Sequence, residues 1–359
     1  GHQLVELPYA LSLLSEKPDF NYVIISYGNG ANEFLFKSLI SRSEIEVKIY
    51  SYYLHYVVSS VIQKKLHEQT VNISIAPNDE IYEYCKANNL MHEYSLIEAR
   101  QYMKVLSGIE RNYNLGNSTD KMFSAEDKKA CIKLLENIGI NSNDWFVCLH
   151  IRENKYWSFE RNNIINIYNK AIEYINSIGG HIIIIGEYKE NYRECSSFYS
   201  NYGSNEILMM YILKYQKFMI GTSSGPSNVS VIFDIPVIST NVTQWDAVAY
   251  GEKSSYLPKM IRNKNTNVLL TASEVMELRR KESFYLDGLP DSVEYLDNDE
   301  DSILSAVIKK NSEIDNNIFS SMIDQSIFKN NFGDGKILWA VKSKIDDLYY
   351  DKYRYIFEG

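Results

Sequence analysis

Two short segments of the chain carry residue types that could hold a phosphate. In the first, Phe218-Met219-Ile220-Gly221 runs apolar and then gives way to Thr222-Ser223-Ser224-Gly225-Pro226-Ser227-Asn228. A proline suits the first position of a helix, where its missing N–H is not needed. The start of such a helix offers free backbone N–H groups and the positive end of the helix dipole to an anion. Thr222, Ser223 and Ser224 would add hydroxyl donors, and Gly225 would let the backbone approach a ligand closely. No Walker-type lysine accompanies the segment, so an ordinary polar strand-to-helix turn stays open beside phosphate binding.

The second segment is Val147-Cys148-Leu149-His150-Ile151-Arg152-Glu153. It reads as an apolar strand that turns polar at its carboxyl end, the edge where open parallel sheets bind ligands. Arg152 at that edge can grip a diphosphate with two parallel hydrogen bonds, or pair with a structural Glu153 or Glu187. His150 either donates to phosphate and moves protons, or is a core histidine bonded to backbone.

Composition bounds the remaining chemistry. The chain has 359 residues, is 45% hydrophobic and 23% charged, and carries a formal net charge of −9. Two domains of ordinary size are expected, and a sequence-independent nucleic-acid binder is not, because that needs a basic face. Cys85, Cys131, Cys148 and Cys195 form no CxxC pair, so reduced thiols are expected rather than a zinc or redox centre. The acidic residues Asp297, Asp299, Glu300 and Asp301 read as a helix start in a polar loop, so no metal site is expected. No apolar run is long enough to span a bilayer. The chain starts at Gly1 without an initiator Met, which suggests a processed, tagged or excised segment.

The elements that must position these segments alternate between strand and helix. Tyr22 to Ser26, Glu46 to Tyr50 and Val71 to Ile75 read as strands of a first half. Helices are expected over Glu33 to Ser41, His55 to Glu68 and Asp79 to Asn89. Ser124, three residues before Asp127, marks the capped start of a helix from Ala125 to Ile138. A second alternation follows. Strands are expected at Trp145 to Ile151, His181 to Gly186, Lys217 to Ile220 and Pro236 to Thr240. Helices are expected over Ile164 to Ile178, Glu206 to Tyr215, Ser227 to Phe233, Ser273 to Lys281 and Asp299 to Lys310, with a terminal helix over Gly335 to Phe357. The expected fold is α/β, with two doubly wound Rossmann-type domains facing each other across a cleft. The domains are placed at residues 1–140 and 141–335, with a helical tail at 336–359.

Several blocks together resemble a known group. Val147 to Glu153, Arg161-Asn162, Ala171 to Ile175, Gly179-Gly180 and Phe218 to Gly225 are similar to a bacterial glycosyltransferase family encoded in surface-polysaccharide loci. The match continues through Phe233, Pro236-Val237, Thr240-Asn241 and Tyr256-Leu257-Pro258-Lys259. It covers about residues 145 to 275 well and the first half faintly. The His-x-Arg strand end also resembles that of fucosyltransferases of the GT-B type, in which the arginine serves the donor's diphosphate. Glu153 departs from the family's Asp, and Gly186-Glu187 departs from its usual methionine-glycine-aspartate ending.

The resemblance implies a GT-B-like fold and sugar transfer from a nucleotide-sugar to a glycan or lipid-linked glycan in surface polysaccharide synthesis. It implies that His150, Arg152, Gly186, Thr222, Ser223, Ser224, Gly225 and Lys259 hold the nucleotide-sugar. Gly1-His2 is similar to a Gly-His pair that follows the family's first strand, which would make His2 the general base; a cloning remnant is the rival reading. In that case Glu6 or Glu33 is next, Glu33 lying in the glycine-bearing loop that starts at Gly28. No metal or other cofactor is expected, because Arg152 and the 222–225 loop would neutralise the leaving group. Inversion is expected because the pair of glutamates typical of retaining relatives is not recognisable. The expected setting is cytoplasmic, extending to peripheral contact with the inner membrane face for a lipid-linked acceptor. An epimerase or hydrolase of nucleotide-sugars, and a non-catalytic carbohydrate-binding module, remain the alternatives.

Overall fold

The computed structural model describes residues 22–25, 47–50 and 122–359, except 154–158, 187, 189, 244, 246–250, 252, 283–288, 320–322 and 332–342. The chain divides into two compact units, Gly1–Ser118 and Thr119–Gly359. In the first unit, β1 (Tyr22–Ile25) and β2 (Val47–Tyr50) pair in parallel, Tyr22 opposite Val47. A parallel pair needs a crossover between its strands, as the alternating pattern of the first half implies.

The second unit opens with α1 (Ala125–Glu136). It continues through β3 (Phe146–Ile151), α2 (Asn169–Ser177), β4 (His181–Gly186) and the short β5 (Ser196–Ser197). Next come α3 (Phe198–Tyr202), α4 (Glu206–Tyr215), β6 (Met219–Gly221), α5 (Gly225–Ile232) and β7 (Val237–Val242). β8 (Ser255–Pro258), β9 (Met260–Asn263), α6 (Ala272–Glu282) and β10 (Val293–Leu296) follow. The chain ends with α7 (Glu300–Asn316), α8 (Ser326–Asn331), β11 (Lys344–Ile345), α9 (Asp347–Lys352) and α10 (Arg354–Phe357).

Among the described residues seven of these strands form a sheet ordered β11-β8-β7-β6-β3-β4-β5, while β9 and β10 pair antiparallel outside it. Every neighbouring pair in it is parallel. The order is that of a doubly wound sheet. The chain leaves β3 in one direction to β4 and β5, then returns to lay β6 on the other side of β3 and continues to β7 and β8. The winding therefore reverses between β3 and β6. All strands being parallel, their carboxyl ends share one edge.

Burial explains why these segments became strands. β3 is buried along its whole length, and Ile182 to Ile185 of β4 are buried, as expected for strands covered on both faces. Val147, Leu149 and Ile151 share a core with Ala171, Ile172 and Ile175 of α2 and with Ile303, Ala306 and Val307 of α7. Side chains alternate along a strand, so Cys148 and His150 point to the opposite face. There Gln216, just past α4, ties three elements together. Its Oε1 accepts from the Cys148 N–H at 3.1 Å, and its Nε2 donates to the Leu213 carbonyl and to Ser230 Oγ of α5, both at 2.9 Å.

Three boundaries differ from those expected. The division between units falls after Ser118, ahead of the expected boundary at residue 140, because Phe123 and α1 pack against α4: the Phe123 and Tyr211 rings meet edge-on at 5.6 Å. The helix expected from Ile164 begins as a 3-10 turn at Ile165–Tyr168 before becoming α2. The expected C-terminal helical tail is, where described, β11 with α9 and α10, built into the core of the second unit. Asp346 caps α9 by accepting from the Leu348 and Tyr349 N–H groups, and the Tyr350 and Phe357 rings stack at 5.2 Å. Among the described residues, no helix is long and apolar enough to cross a membrane. Cys131, Cys148 and Cys195 are buried free thiols, and burial pushes the Cys131 thiol up to about 11.

Candidate functional site

The site lies at the reversal point of the second unit's sheet. β3 ends there at Ile151 and Arg152 follows; β6 ends at Gly221 and Thr222 to Ser224 lead into α5. In open α/β sheets a crevice opens outside the carboxyl ends of strands where the winding reverses. The structure thus brings together the two segments whose residue types suit a phosphate.

His150 sits between two glycines. It pairs with Gly221 across the ladder, and Gly186 of β4 lies beside Ile151 on the other side. A Cβ on Gly221, where φ is +145°, would lie 2.6 Å from the His150 carbonyl oxygen. A Cβ on Gly186, where φ is +101°, would lie 2.2 Å from the Ile151 carbonyl oxygen and 3.1 Å from the His150 ring. Only glycine fits either place without displacing backbone. Gly186 therefore leaves room for the imidazole beside it.

That imidazole is 6% exposed. Burial first, and then the Arg152 and Arg161 guanidinium charges, push its pKa down to about 3. At neutral pH it is uncharged, so it can serve an anion only through one ring N–H. Its Nδ1 and the Ser224 Oγ are buried without a hydrogen-bond partner among the described residues. Buried polar atoms nearly always have a partner, so two such atoms beside one loop mark a place suited to a ligand.

Arg152 is half-buried at the strand end. Its backbone is held by Asn163, whose Oδ1 accepts the Arg152 N–H at 2.6 Å. The Asn163 Nδ2 donates to the His150 carbonyl at 3.1 Å and to the Tyr168 hydroxyl at 2.7 Å. Tyr168 in turn meets Thr240 Oγ1 of β7 at 2.6 Å. This buried chain fixes the end of β3 relative to β7. Glu153, one structural partner considered for Arg152, is exposed; it and Arg152 each have an interaction partner in the structure, and Glu187 lies outside the described residues.

The loop before α5 is organised by its own side chains. Ser227 Oγ accepts from the Ser224 N–H at 3.0 Å and donates to the Ser224 carbonyl at 2.6 Å. Arg161 Nη2 donates to the Ser223 carbonyl, joining the segment after β3 to the loop after β6. Thr222 is buried, while Ser223, Ser224, Gly225 and Pro226 are half-buried. Gly225 and Pro226 form the first turn of α5, as the strand-glycine-proline pattern predicts.

Lys259 follows β8, on the same edge of the sheet. Its side chain is buried, and its ammonium pairs with Asp297 at 2.6 Å. Its charge is thus balanced within the protein. Asp299 is the N-cap of α7 and accepts from the Ser302 N–H at 2.8 Å, so the acidic run does open a helix. Among the described residues, no group of three or more His, Cys, Asp or Glu side chains lies close enough to hold a metal ion. His2, Glu6, Glu33 and the loop from Gly28 to Glu33 lie outside the described residues.

Arg161 and Asn163 are the site residues that the strand-end chemistry did not single out. The signal for Arg161 was present, since Arg161-Asn162 is one of the blocks carrying the family resemblance. Neither residue lies on a strand, and their roles depend on how the segment after β3 folds back.

No protein-family model matches the chain, and no curated protein does. Solved structures do match. One is the glycosyl transferase family 9 protein from Veillonella parvula, with a TM-score of 0.50 and 11% identity, covering 87% of this chain and 93% of that one. Another is the ADP-heptose lipopolysaccharide heptosyltransferase II of E. coli, with a TM-score of 0.44 and 10% identity, covering 72% of this chain and 87% of that one. At such identity the Veillonella likeness concerns the fold alone. Together with the parallel, doubly wound sheet, it makes the fold α/β and GT-B-like, as expected.

Proposed function

We propose that the protein is a metal-independent glycosyltransferase that moves a sugar from a nucleotide-sugar to a glycan or lipid-linked glycan acceptor in surface polysaccharide synthesis. The observation that carries this reading is the convergence of Arg152, Arg161 and the amino end of α5 where the sheet reverses direction. Cleaving a nucleotide-sugar leaves negative charge on the departing diphosphate. Preorganised donors aimed at that charge lower the barrier, and guanidinium groups with helix N–H groups can supply them. The uncharged His150 adds one hydrogen bond without another positive charge.

The acceptor hydroxyl needs a base on the opposite face of the sugar, which would give inversion. His2, or failing it Glu33, is assigned that role in the first unit. A lipid-linked acceptor would bring the protein to the inner face of the membrane from the cytoplasm. Support for transfer as the reaction class comes from the family resemblance of the second-unit motifs, and the Veillonella fold is compatible with it.

The test is turnover of a nucleotide-sugar panel, with and without a glycan acceptor mixture. A transferase consumes donor and forms product in an acceptor-dependent manner, and Arg152→Ala lowers that rate by about a hundredfold or more. A new sugar nucleotide formed without acceptor would instead identify an epimerase. No turnover and no nucleotide binding would leave a carbohydrate-binding module.

A further inference from the structure

A row of paired residues crosses three neighbouring strands: His150 of β3 stands opposite Gly221 of β6, and Gly221 stands opposite Ser239 of β7. Residues paired in this way point to one face of the sheet. Here it is the face under α5, whose Ser230 hydroxyl meets Met219 Sδ, two residues before Gly221, at 3.4 Å. Gly221 puts no side chain between the other two. Ser239 is fully buried, and its Oγ has no hydrogen-bond partner among the described residues; nor has His150 Nδ1. A buried polar atom left unmet is costly, so two of them along one row call for a shared partner.

The ring orientation of His150 aims Nδ1 along that row. A Cβ on Gly186 of β4 would lie 3.1 Å from both the Cδ2 and the Nε2 of the imidazole. The Cδ2–Nε2 edge therefore faces β4. The Nδ1 edge faces the other way, toward β6 and β7. β3 and β7 are two strand spacings apart, roughly 10 Å. The two side chains reach into that span from its ends without meeting, and one water hydrogen-bonded to both covers about 5–6 Å.

We propose that a buried water sits over Gly221 and bridges Ser239 Oγ to His150 Nδ1, making Ser239 a positioning residue for the imidazole. Counting donors and acceptors then places the ring proton. The Ser239 hydroxyl gives its hydrogen to the water, and the water donates to Nδ1. Nδ1 must accept, so the single proton of the neutral ring rests on Nε2. With the proton on Nδ1 the chain would run the other way, leaving both the serine hydrogen and a water hydrogen unmet rather than the water hydrogen alone. Ser239 thus decides which nitrogen carries the one N–H that His150 can offer. Use of that N–H on a donor phosphate rests on the nucleotide-sugar reading; the water and the tautomer do not.

Nitrogen NMR on the full chain, isotopically labelled at the histidine nitrogens, tests this without a ligand. His150 is assigned by the loss of its signals in His150→Gln. The proteins compared are wild type, Ser239→Ala and Ser239→Thr, each checked for an intact thermal transition. Wild type is expected to show a protonated Nε2 and an unprotonated Nδ1 that accepts a hydrogen bond. In Ser239→Ala the Nδ1 resonance is expected to shift toward that of an unbonded nitrogen. Ser239→Thr keeps the hydroxyl and is expected to keep the wild-type position. A crystal structure of wild type gives the second readout and decides the matter if Ser239→Ala fails to fold: a water in hydrogen-bond range of both atoms is expected.

A proton on Nδ1 in wild type overturns the inference, as does the same Nδ1 resonance in Ser239→Ala as in wild type. So does a crystal structure in which nothing bridges the two atoms, or in which the ring is turned with Nδ1 toward Gly186. Failure of wild type to bind any nucleoside diphosphate would overturn the nucleotide-sugar reading alone and leave both readouts in force.

Discussion

His150 of β3 stands opposite Gly221 of β6, and a Cβ at position 221 would lie 2.7 Å from the His150 Cβ. The two strands between which the winding reverses are thus in contact at the residues that begin the site. The glycine also adopts φ +145°, a conformation that side chains with a Cβ rarely take.

Gly221→Ala is therefore expected to be costly. The added methyl meets the His150 backbone, and β3 and β6 must separate to admit it. A loss of about 2–4 kcal/mol is expected from strain and overpacking together. Urea unfolding at constant m-value measures it. Ala at Gly139, where nothing lies within 4 Å of the added Cβ, meets no such contact and serves as a control for backbone strain alone.

The buried imidazole gives a pH dependence of definite sign. His150 has its folded pKa lowered to about 3 by burial and by the Arg152 and Arg161 charges, against an ordinary value of 6.5. Below pH 6.5 the unfolded chain takes up a proton at this residue that the folded chain refuses. Its stabilising contribution is complete above pH 6.5 and is lost progressively as pH falls toward 3, by up to about 1.4 kcal/mol per pH unit. In chemical denaturation between pH 6.5 and 4.5, His150→Gln is expected to lose stability less steeply than wild type. Equal slopes for the two proteins would show that the imidazole is charged or solvated.

Asn163 is the node that aims Arg152. Its side chain satisfies the Arg152 N–H, the His150 carbonyl and the Tyr168 hydroxyl at once, and it is 2% exposed. Asn163→Ala strands these buried groups and is expected to cost about 2–4 kcal/mol, since each unmet buried group costs about 1–3 kcal/mol. Tyr168→Phe removes one bond to Asn163 and one to Thr240 and is expected to cost about 1 kcal/mol. Thermal melting of the two variants ranks them. A milder effect for Asn163→Ala than for Tyr168→Phe would contradict the node.

The features legible in the sequence were those that local chemistry fixes. The start of α1 is one. Ser124 Oγ accepts from the Asp127 N–H at 3.0 Å and Asp127 Oδ2 accepts from the Ser124 N–H at 3.0 Å, the reciprocal cap that the Ser-x-x-Asp spacing predicts. β4 is another, its four isoleucines needing cover on both faces. β8, β9 and β10 were not expected. They are four residues each, and their pairing partners are distant or reached only through the fold, so strand formation there depends on context more than on propensity.

The same division runs through the site. Arg152 and the loop from Thr222 to Gly225 are readable as strand-end residues one by one. That the two strand ends are neighbours depends on β6 lying beside β3 rather than beside β5, which strand order alone decides. Lys259 was expected to bring positive charge, and its partner Asp297 comes from a loop that only the packing of Asn298 brings near. The Asn298 Nδ2 donates to the Pro258 carbonyl at 3.0 Å and its backbone N–H to Asn241 Oδ1 at 2.8 Å.

The most direct measurement is a crystal structure of the protein with the nucleoside diphosphate that binds it best. The diphosphate is expected at the carboxyl ends of β3 and β6, with phosphate oxygens in hydrogen-bond range of the Arg152 guanidinium and of the N–H groups that open α5. A diphosphate seated elsewhere, with Arg152 turned from it and the loop from Thr222 to Gly225 untouched, would contradict the account.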